Sequence, residues 1–292
     1  CWGANAGGQL GLGDTNNRGD GPAEMGASLP AVNLGTGRTA TAVTAGESHT
    51  CARLDNAAIK CWGSNGSGQL GRGTTSTVGE FSGQMGDNLA AVDLGGNRAV
   101  TLVAAGLSHS CALLESGAVK CWGINASGQL GQGDTFPRGA ASFSMGNDLP
   151  AINLGTGRTA TAVASSPSSD FTCALLDNGT VKCWGANTSG QLGLGDIQAR
   201  GDAPNEMGDN LPAVNLGTGR TALSIAVGGS HACARLDNAT VKCWGANTNG
   251  QLGLGDVQAR GDGANEMGDN LPSVDLGTGR TATAITAGAG FT

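Results

Sequence analysis

The tripeptide Cys-Trp-Gly occurs five times, with its tryptophan at 2, 62, 122, 184 and 244, so the chain repeats at steps of 60, 60, 62 and 60 residues. A fixed period of this length marks an architecture in which each unit buries its apolar face only against its neighbours. Each Trp is followed by Asn (5, 65, 125, 187, 247) and then by Gly-Gln-Leu-Gly (8–11, 68–71, 128–131, 190–193, 250–253). Met-Gly follows at 25, 85, 145, 207 and 267, then a Leu-x-x-[Val/Ile]-x-Leu-Gly stretch such as 211–217, and an Arg closes the unit at 38, 98, 158, 220 and 280. The apolar runs within a unit are short: 174–176, 180–184, 213–216 and 222–227. They are β-branched or alternate with period two, and Gly, Asp and Asn separate them. The chain has 53 Gly, 3% aromatic residues and no Tyr, which implies many tight turns and few large core anchors.

This spacing predicts an all-β fold with about four strands per unit, the content of one propeller blade. The expected organisation is a single array over 1–292, with repeats beginning near Cys1, Cys61, Cys121, Cys183 and Cys243 and the last blade incomplete.

The run from Gly106 through His109, Cys111-Ala112-Leu113, Gly117, Val119, Trp122-Gly123 and Asn125 to Gly128-Gln129-Leu130-Gly131 resembles the regulator-of-chromosome-condensation repeat. The same pattern recurs along the whole chain. The resemblance implies a β-propeller, usually of seven blades. Members of that family include a guanine-nucleotide exchange factor, a β-lactamase inhibitor and many secreted proteins, so the fold transfers and the function does not. Seven blades at this period need about 420 residues. The expectation is therefore a window from a longer array, mature or trimmed at Cys1, rather than five closed blades.

Nine cysteines are present, eight of them spaced as 51/61, 111/121, 173/183 and 233/243, with Cys1 alone. In the segment 173–183, a three-residue turn at Asp177-Asn178-Gly179 sets Leu176 against Thr180. Counting outward sets Cys173 against Cys183, near enough for a disulfide after modest adjustment. The other three pairs have the same spacing. Four persistent disulfides imply an oxidising compartment and hence a secreted, extracellular or cell-surface protein.

His49, His109 and His231 precede these cysteines, which raises the question of a metal. The equivalent residue is Phe171 or Phe291 in the other repeats, and phenylalanine cannot replace a zinc ligand. The histidines are expected to be hydrogen-bonded structural residues; no metal or cofactor is expected.

Asp14, Asp134, Asp196 and Asp256, with Glu24, Glu206 and Glu266, bear on the hypothesis of a carbohydrate-active hydrolase. They recur with the repeat, whereas a catalytic pair sits in one special environment. No catalytic residues are assigned and no enzyme is expected. Arg-Gly-Asp occurs at 18–20, 200–202 and 260–262, where the Arg is expected to pair with a repeat carboxylate and Gly-Asp to turn. Asn65, Asn125, Asn178, Asn187 and Asn238 head Asn-x-Ser/Thr sequons and are candidate N-glycan acceptors.

The formal net charge is −7 and no basic stripe is visible, which argues against a nucleic-acid partner. No run approaches the roughly 20 apolar residues of a spanning helix, so no membrane insertion is expected. The composite expectation is a secreted structural or protein-interaction module. Its partners are a protein, further copies of itself in a larger assembly, or glycans. An exchange-factor-like or inhibitor-like propeller is the alternative. Ser165–Asp170, a two-residue insertion that breaks the repeat, is the place to look for a localised function.

Overall fold

The computed structural model describes residues 1–96 and 98–292. Four three-stranded antiparallel sheets follow one another along the chain. The first holds β1 (Ala40–Ala45), β2 (His49–Leu54) and β3 (Ile59–Gly63); the second holds β4 (Val100–Ala105), β5 (His109–Leu114) and β6 (Val119–Gly123). The third holds β7 (Ala160–Ser165), β8 (Phe171–Leu176) and β9 (Val181–Gly185); the fourth holds β10 (Ala222–Val227), β11 (His231–Leu236) and β12 (Val241–Gly245).

The hairpins follow from their turns. Gly179 N–H donates to the Leu176 carbonyl at 3.0 Å and Leu176 N–H to the Thr180 carbonyl at 2.9 Å. Gly179 takes φ +77°, which glycine adopts at least cost. From that turn the register pairs Leu175 with Val181, Ala174 with Lys182 and Cys173 with Cys183. The other three hairpins share this register, pairing Cys51 with Cys61, Cys111 with Cys121 and Cys233 with Cys243. All four pairs are disulfide-bonded with Cα atoms 4.1 Å apart, and Cys1 is exposed and unbonded.

One expected feature differs: each sheet has three strands rather than four. Among the described residues there are four sheets for five sequence repeats, in keeping with an incomplete last blade. Beyond its three strands each unit adds only a single bridge: Gly63 pairs with Val78, Gly123 with Arg138, Gly185 with Arg200 and Gly245 with Arg260. The ladder stops there because the next amides are taken by side chains; Glu206 alone accepts from the N–H groups of Gly201, Asp202 and Ala203. The stretch 213–216, which the sequence suggested as the fourth strand, is no strand. It is tied to β9 by Val214 N–H donating to the Val181 carbonyl at 2.8 Å, while Pro212 has no donor and the Asn215 carbonyl accepts from Gly268.

Successive sheets pack face to face. Leu54, Ile59 and Trp62 of the first share one apolar cluster with Val100, Val103 and Trp122 of the second. The outer face of the first sheet is uncovered: Val43 is exposed, whereas its counterparts Val103 and Val163 are buried.

Candidate interaction surface

The junction between repeats is built from one set of parts. Trp62, Trp122, Trp184 and Trp244 are fully buried, and each indole Nε1–H reaches back to the preceding repeat. It donates there to the carbonyl of Gln9, Gln69, Gln129 or Gln191 at 2.9–3.1 Å. The indole needs a bare backbone beside it. A Cβ on Gly71 would stand 2.7 Å from Trp122 Nε1 and 2.9 Å from Met145 Cε.

Lys60, Lys120 and Lys182 sit in otherwise apolar strands and act as clamps. Each Nζ donates to a carbonyl of the preceding repeat (Leu34, Leu94, Leu154) and to one of its own repeat (Gly86, Gly146, Gly208). Burial pushes the Lys182 ammonium below its usual range, and the Asp209 carboxylate opposes that shift. Asp209 in turn accepts from Thr156 N–H at 2.9 Å and Thr156 Oγ1–H at 2.6 Å, which holds its carboxyl below the ordinary value. Nothing in a strand reading assigned these lysines a role; the available signal was their strict recurrence between Val or Ile and Cys.

The histidines complete the junction. His49 Nε2 lies 2.9 Å from Ser110 Oγ, and His109 Nε2 lies 2.9 Å from Thr172 Oγ1. Those hydroxyls donate to the Gln69 and Gln129 carbonyls, so they accept from the rings, which are therefore Nε2–H tautomers with Nδ1 left bare. Burial pushes His49 down to about 4 and His109 to about 3, the latter helped by neighbouring His49.

Both rings stay neutral in the fold at pH values where the unfolded chain, with its pKa near 6.5, takes up protons. Stability is thus full above about pH 6.5 and falls as the pH drops toward 4. The loss is about 1.4 kcal/mol per pH unit per ring, or about 2 kcal/mol each at pH 5. Denaturant midpoints at pH 7 and pH 5 check this. The double variant His109→Phe/Thr172→Ala, which copies the Phe171 and Ala232 found one repeat later, should lose markedly less. An equal loss in both proteins would assign the acid sensitivity to other groups.

The recurrent carboxylates are spent on the loops. Asp14, Asp134, Asp196 and Asp256 pair with Arg18, Arg138, Arg200 and Arg260 at 2.6–2.7 Å, so the Arg of each Arg-Gly-Asp is held by its own loop. Glu24 accepts from the N–H groups of Gly19, Asp20 and Gly21, and Glu266 from those of Gly261 and Gly263. Among the described residues no group of three His, Cys, Asp or Glu side chains could hold a metal ion.

The sequons fall into two kinds. Asn65, Asn125 and Asn187 are buried; each accepts from a backbone N–H through Oδ1 and donates through Nδ2 to loop carbonyls. Asn178 and Asn238 are exposed at hairpin tips, where their Oδ1 accepts from the hydroxyls of Thr180 and Thr240 at 2.7 and 2.8 Å. In the divergent segment, Ser166 Oγ donates to the Gly229 carbonyl at 3.0 Å, and burial raises the pKa of Asp170.

A surface feature that the sequence reading missed lies in repeats 2 and 3. Phe81, Phe136 and Phe143 are 66%, 71% and 78% exposed. They lie in the loops between the tryptophan strand and the Met-Gly turn. Their counterparts are small or polar: Gly21 and Ala203 for Phe81, Asn16 and Gln198 for Phe136, Ala23 and Asn205 for Phe143. The chain has only five Phe and no Tyr, so three solvated rings in two adjacent repeats break the symmetry of the array.

Models of the regulator of chromosome condensation (RCC1) repeat match residues 40–69, 100–129, 161–191 and 223–251, and, in a second form, 1–53 and 178–235. The chain is 28% identical over 261 residues to the ultraviolet-B receptor UVR8 of Arabidopsis thaliana, covering 87% of this chain and 50% of that protein. It is 30% identical over 214 residues to the probable E3 ubiquitin-protein ligase HERC6 of Homo sapiens, covering 72% of this chain and 18% of that one. The chain thus spans half the length, or less, of these curated relatives. Among solved structures, 99% of the chain superposes on 60% of yeast RCC1 (Prp20), solved with Kap60 bound, with a TM-score of 0.69 and 20% identity. It also superposes on 64% of human WBSCR16, with a TM-score of 0.67 and 18% identity. These likenesses show the fold, a propeller of repeated blades. By its repeats and its blade architecture, the chain belongs to the RCC1 repeat family.

Proposed function

We propose that this chain is an extracellular protein-interaction module that binds a protein partner through the Phe81, Phe136 and Phe143 loops. The observation that carries the reading is the exposure of these three rings where the other repeats have small or polar residues. Aromatic residues are favoured interface anchors. Yeast RCC1, which shares this fold, was solved with Kap60 bound, and that supports looking for a protein partner. An exchange-factor-like or inhibitor-like partner falls within the same reading. The four disulfides support an oxidising compartment. The carboxylates committed to loop caps and Arg pairs support binding rather than catalysis. In a eukaryotic secretory host, glycans are expected at Asn178 and Asn238, whose side chains are free to take them.

The test is quantitative cross-linking in the native extracellular medium with the wild-type chain and the variant Phe81→Ser/Phe136→Ser/Phe143→Ser. Because the rings are exposed, the variant should melt at the wild-type temperature. Partner recovery should fall at least tenfold. Equal recovery by both chains would contradict the proposal.

A further inference from the structure

Three surface clefts recur at the same place between repeats. They lie between repeats 1 and 2, 3 and 4, and 4 and 5, with volumes of about 510, 520 and 560 Å³. These volumes fall in the range of small-molecule sites. Each cleft is lined by a Gly-x-Gly turn, an alanine, a methionine and one exposed amide with one exposed carboxylate. The pairs are Asn33 with Asp87, Asn153 with Asp209, and Asn215 with Asp269.

The turns account for only part of this pair. The Oδ1 atoms of Asn33, Asn153 and Asn215 accept from the N–H groups of Gly35, Gly155 and Gly217 at 3.0–3.1 Å, while their Nδ2 groups have no acceptor among the described residues. A carboxylate offers about four acceptor sites, and Thr156 fills two of those on Asp209. At the junction of repeats 2 and 3 the pair is exchanged: Asp93 stands at the amide position and Asn147 at the carboxylate position. Asp93 also caps its turn, accepting from Gly95 N–H at 2.8 Å, so the turn does not require an amide. What all four junctions keep is one amide with one carboxylate.

The charge around the pair selects the ligand. No Lys, Arg or His lines any of the three clefts, so an anion finds no counter-charge there. The buried ammonium groups of Lys60, Lys182 and Lys242 donate to backbone carbonyls and already offset the nearby Asp87, Asp209 and Asp269, so a cation gains little. What fits is a neutral ligand that accepts from an amide N–H and donates to a carboxylate through neighbouring atoms. Vicinal sugar hydroxyls do both, and the alanine and methionine beside them suit the C–H face of a sugar ring. Asn205 and Asn265 add a second amide to two of the clefts, at φ +66° and +64°. Glycine enters that region at less cost, as Gly83 does in the first cleft.

We infer that these clefts bind the neutral hexose units of a polysaccharide, with Asn33, Asn153 and Asn215 donating to sugar hydroxyls and Asp87, Asp209 and Asp269 accepting from them. Each cleft is open to solvent, so a single unit binds weakly. A polymer that engages several clefts gains by avidity. Two of the three clefts hold no phenylalanine, so the inference does not rest on the Phe81, Phe136 and Phe143 loops.

The test is affinity electrophoresis of the full chain in native gels containing dextran, mannan or laminarin, with dextran sulfate and reduced casein as comparison polymers. At least one neutral polymer should retard wild type, and its free monosaccharide should compete at least tenfold less well per hexose. Two sets of changes at exposed positions probe the clefts. Asn33→Ala/Asn153→Ala/Asn215→Ala removes the amide donors, and Ala31→Gln/Ala151→Gln/Ala213→Gln fills the clefts from the solvent side. Melting followed by circular dichroism checks that both variants fold. Each should weaken retardation at least tenfold. Three results would overturn the inference: no retardation by any of the neutral polymers, retardation that survives in both variants, or tighter binding of dextran sulfate or casein that both variants abolish.

Discussion

Reduction of the four disulfides is expected to unfold the sheets in mild denaturant. Each bridge joins directly opposed residues ten positions apart and closes a short loop. In the chain-entropy treatment such a loop contributes about 3 kcal/mol, so four together contribute on the order of 10 kcal/mol. Net stabilities of folded domains are about 5–15 kcal/mol, so the bridges are a large share of what holds this chain folded. The large share follows from composition: a chain with 53 Gly and 3% aromatics has little bulky core to fall back on. All eight sulfurs belong to fully buried residues, so reductant alone will act slowly and denaturant is needed to open the hairpins. Circular dichroism along a urea series, with and without a phosphine reductant, should show the midpoint collapse once thiol titration reports eight new thiols. An unchanged midpoint after full reduction would mean that the inter-repeat junctions alone sustain the fold.

Trp122→Ala should cost about 3–5 kcal/mol, while Trp2→Ala should cost less than about 1 kcal/mol. The two residues occupy the same position in the repeat, so the contrast isolates the junction from the residue type. Trp122 is wholly enclosed between Gly71, Met145 and the Gln69 carbonyl, whereas Trp2 is largely solvated. The truncation leaves a cavity between two repeats and removes one of the hydrogen bonds to the Gln69 carbonyl, which keeps the Ser110 hydroxyl. Denaturation midpoints of both variants against wild type read the difference. Equal effects would mean that the indoles do not bind one repeat to the next.

The parts of this fold that were legible in the sequence are those with a local or covalent cause. A three-residue turn at 177–179 sets a hairpin register by counting alone, and the Cys173–Cys183 register follows from it. A 60-residue period with Trp and Gly at fixed offsets implies equivalent junctions, and the four buried tryptophans are equivalent. That 213–216 is no fourth strand was not legible, because its backbone groups go to single distant partners rather than to a ladder: Val214 N–H donates to the Val181 carbonyl and the Asn215 carbonyl accepts from Gly268 N–H. The buried asparagines look like sequons because Asn65 and its counterparts are required for the loop, and Ser or Thr follows by composition. The junction pairs span about 60 residues, beyond any local pattern, yet their signal was present. His co-occurs with Ser or Thr one repeat on, and Phe171 with Ala232. Phe81, Phe136 and Phe143 stood out only as departures from the repeat, which an argument built on what recurs passes over.

The most direct test of the proposed extracellular location, and of the hairpin staples it rests on, is peptide mapping under non-reducing conditions of the protein isolated from its native source. The prediction is four intra-hairpin bridges, Cys51–Cys61, Cys111–Cys121, Cys173–Cys183 and Cys233–Cys243, at near-complete occupancy. Free thiols at these eight positions, or bridges between different repeats, would contradict both the hairpin register and the oxidising compartment.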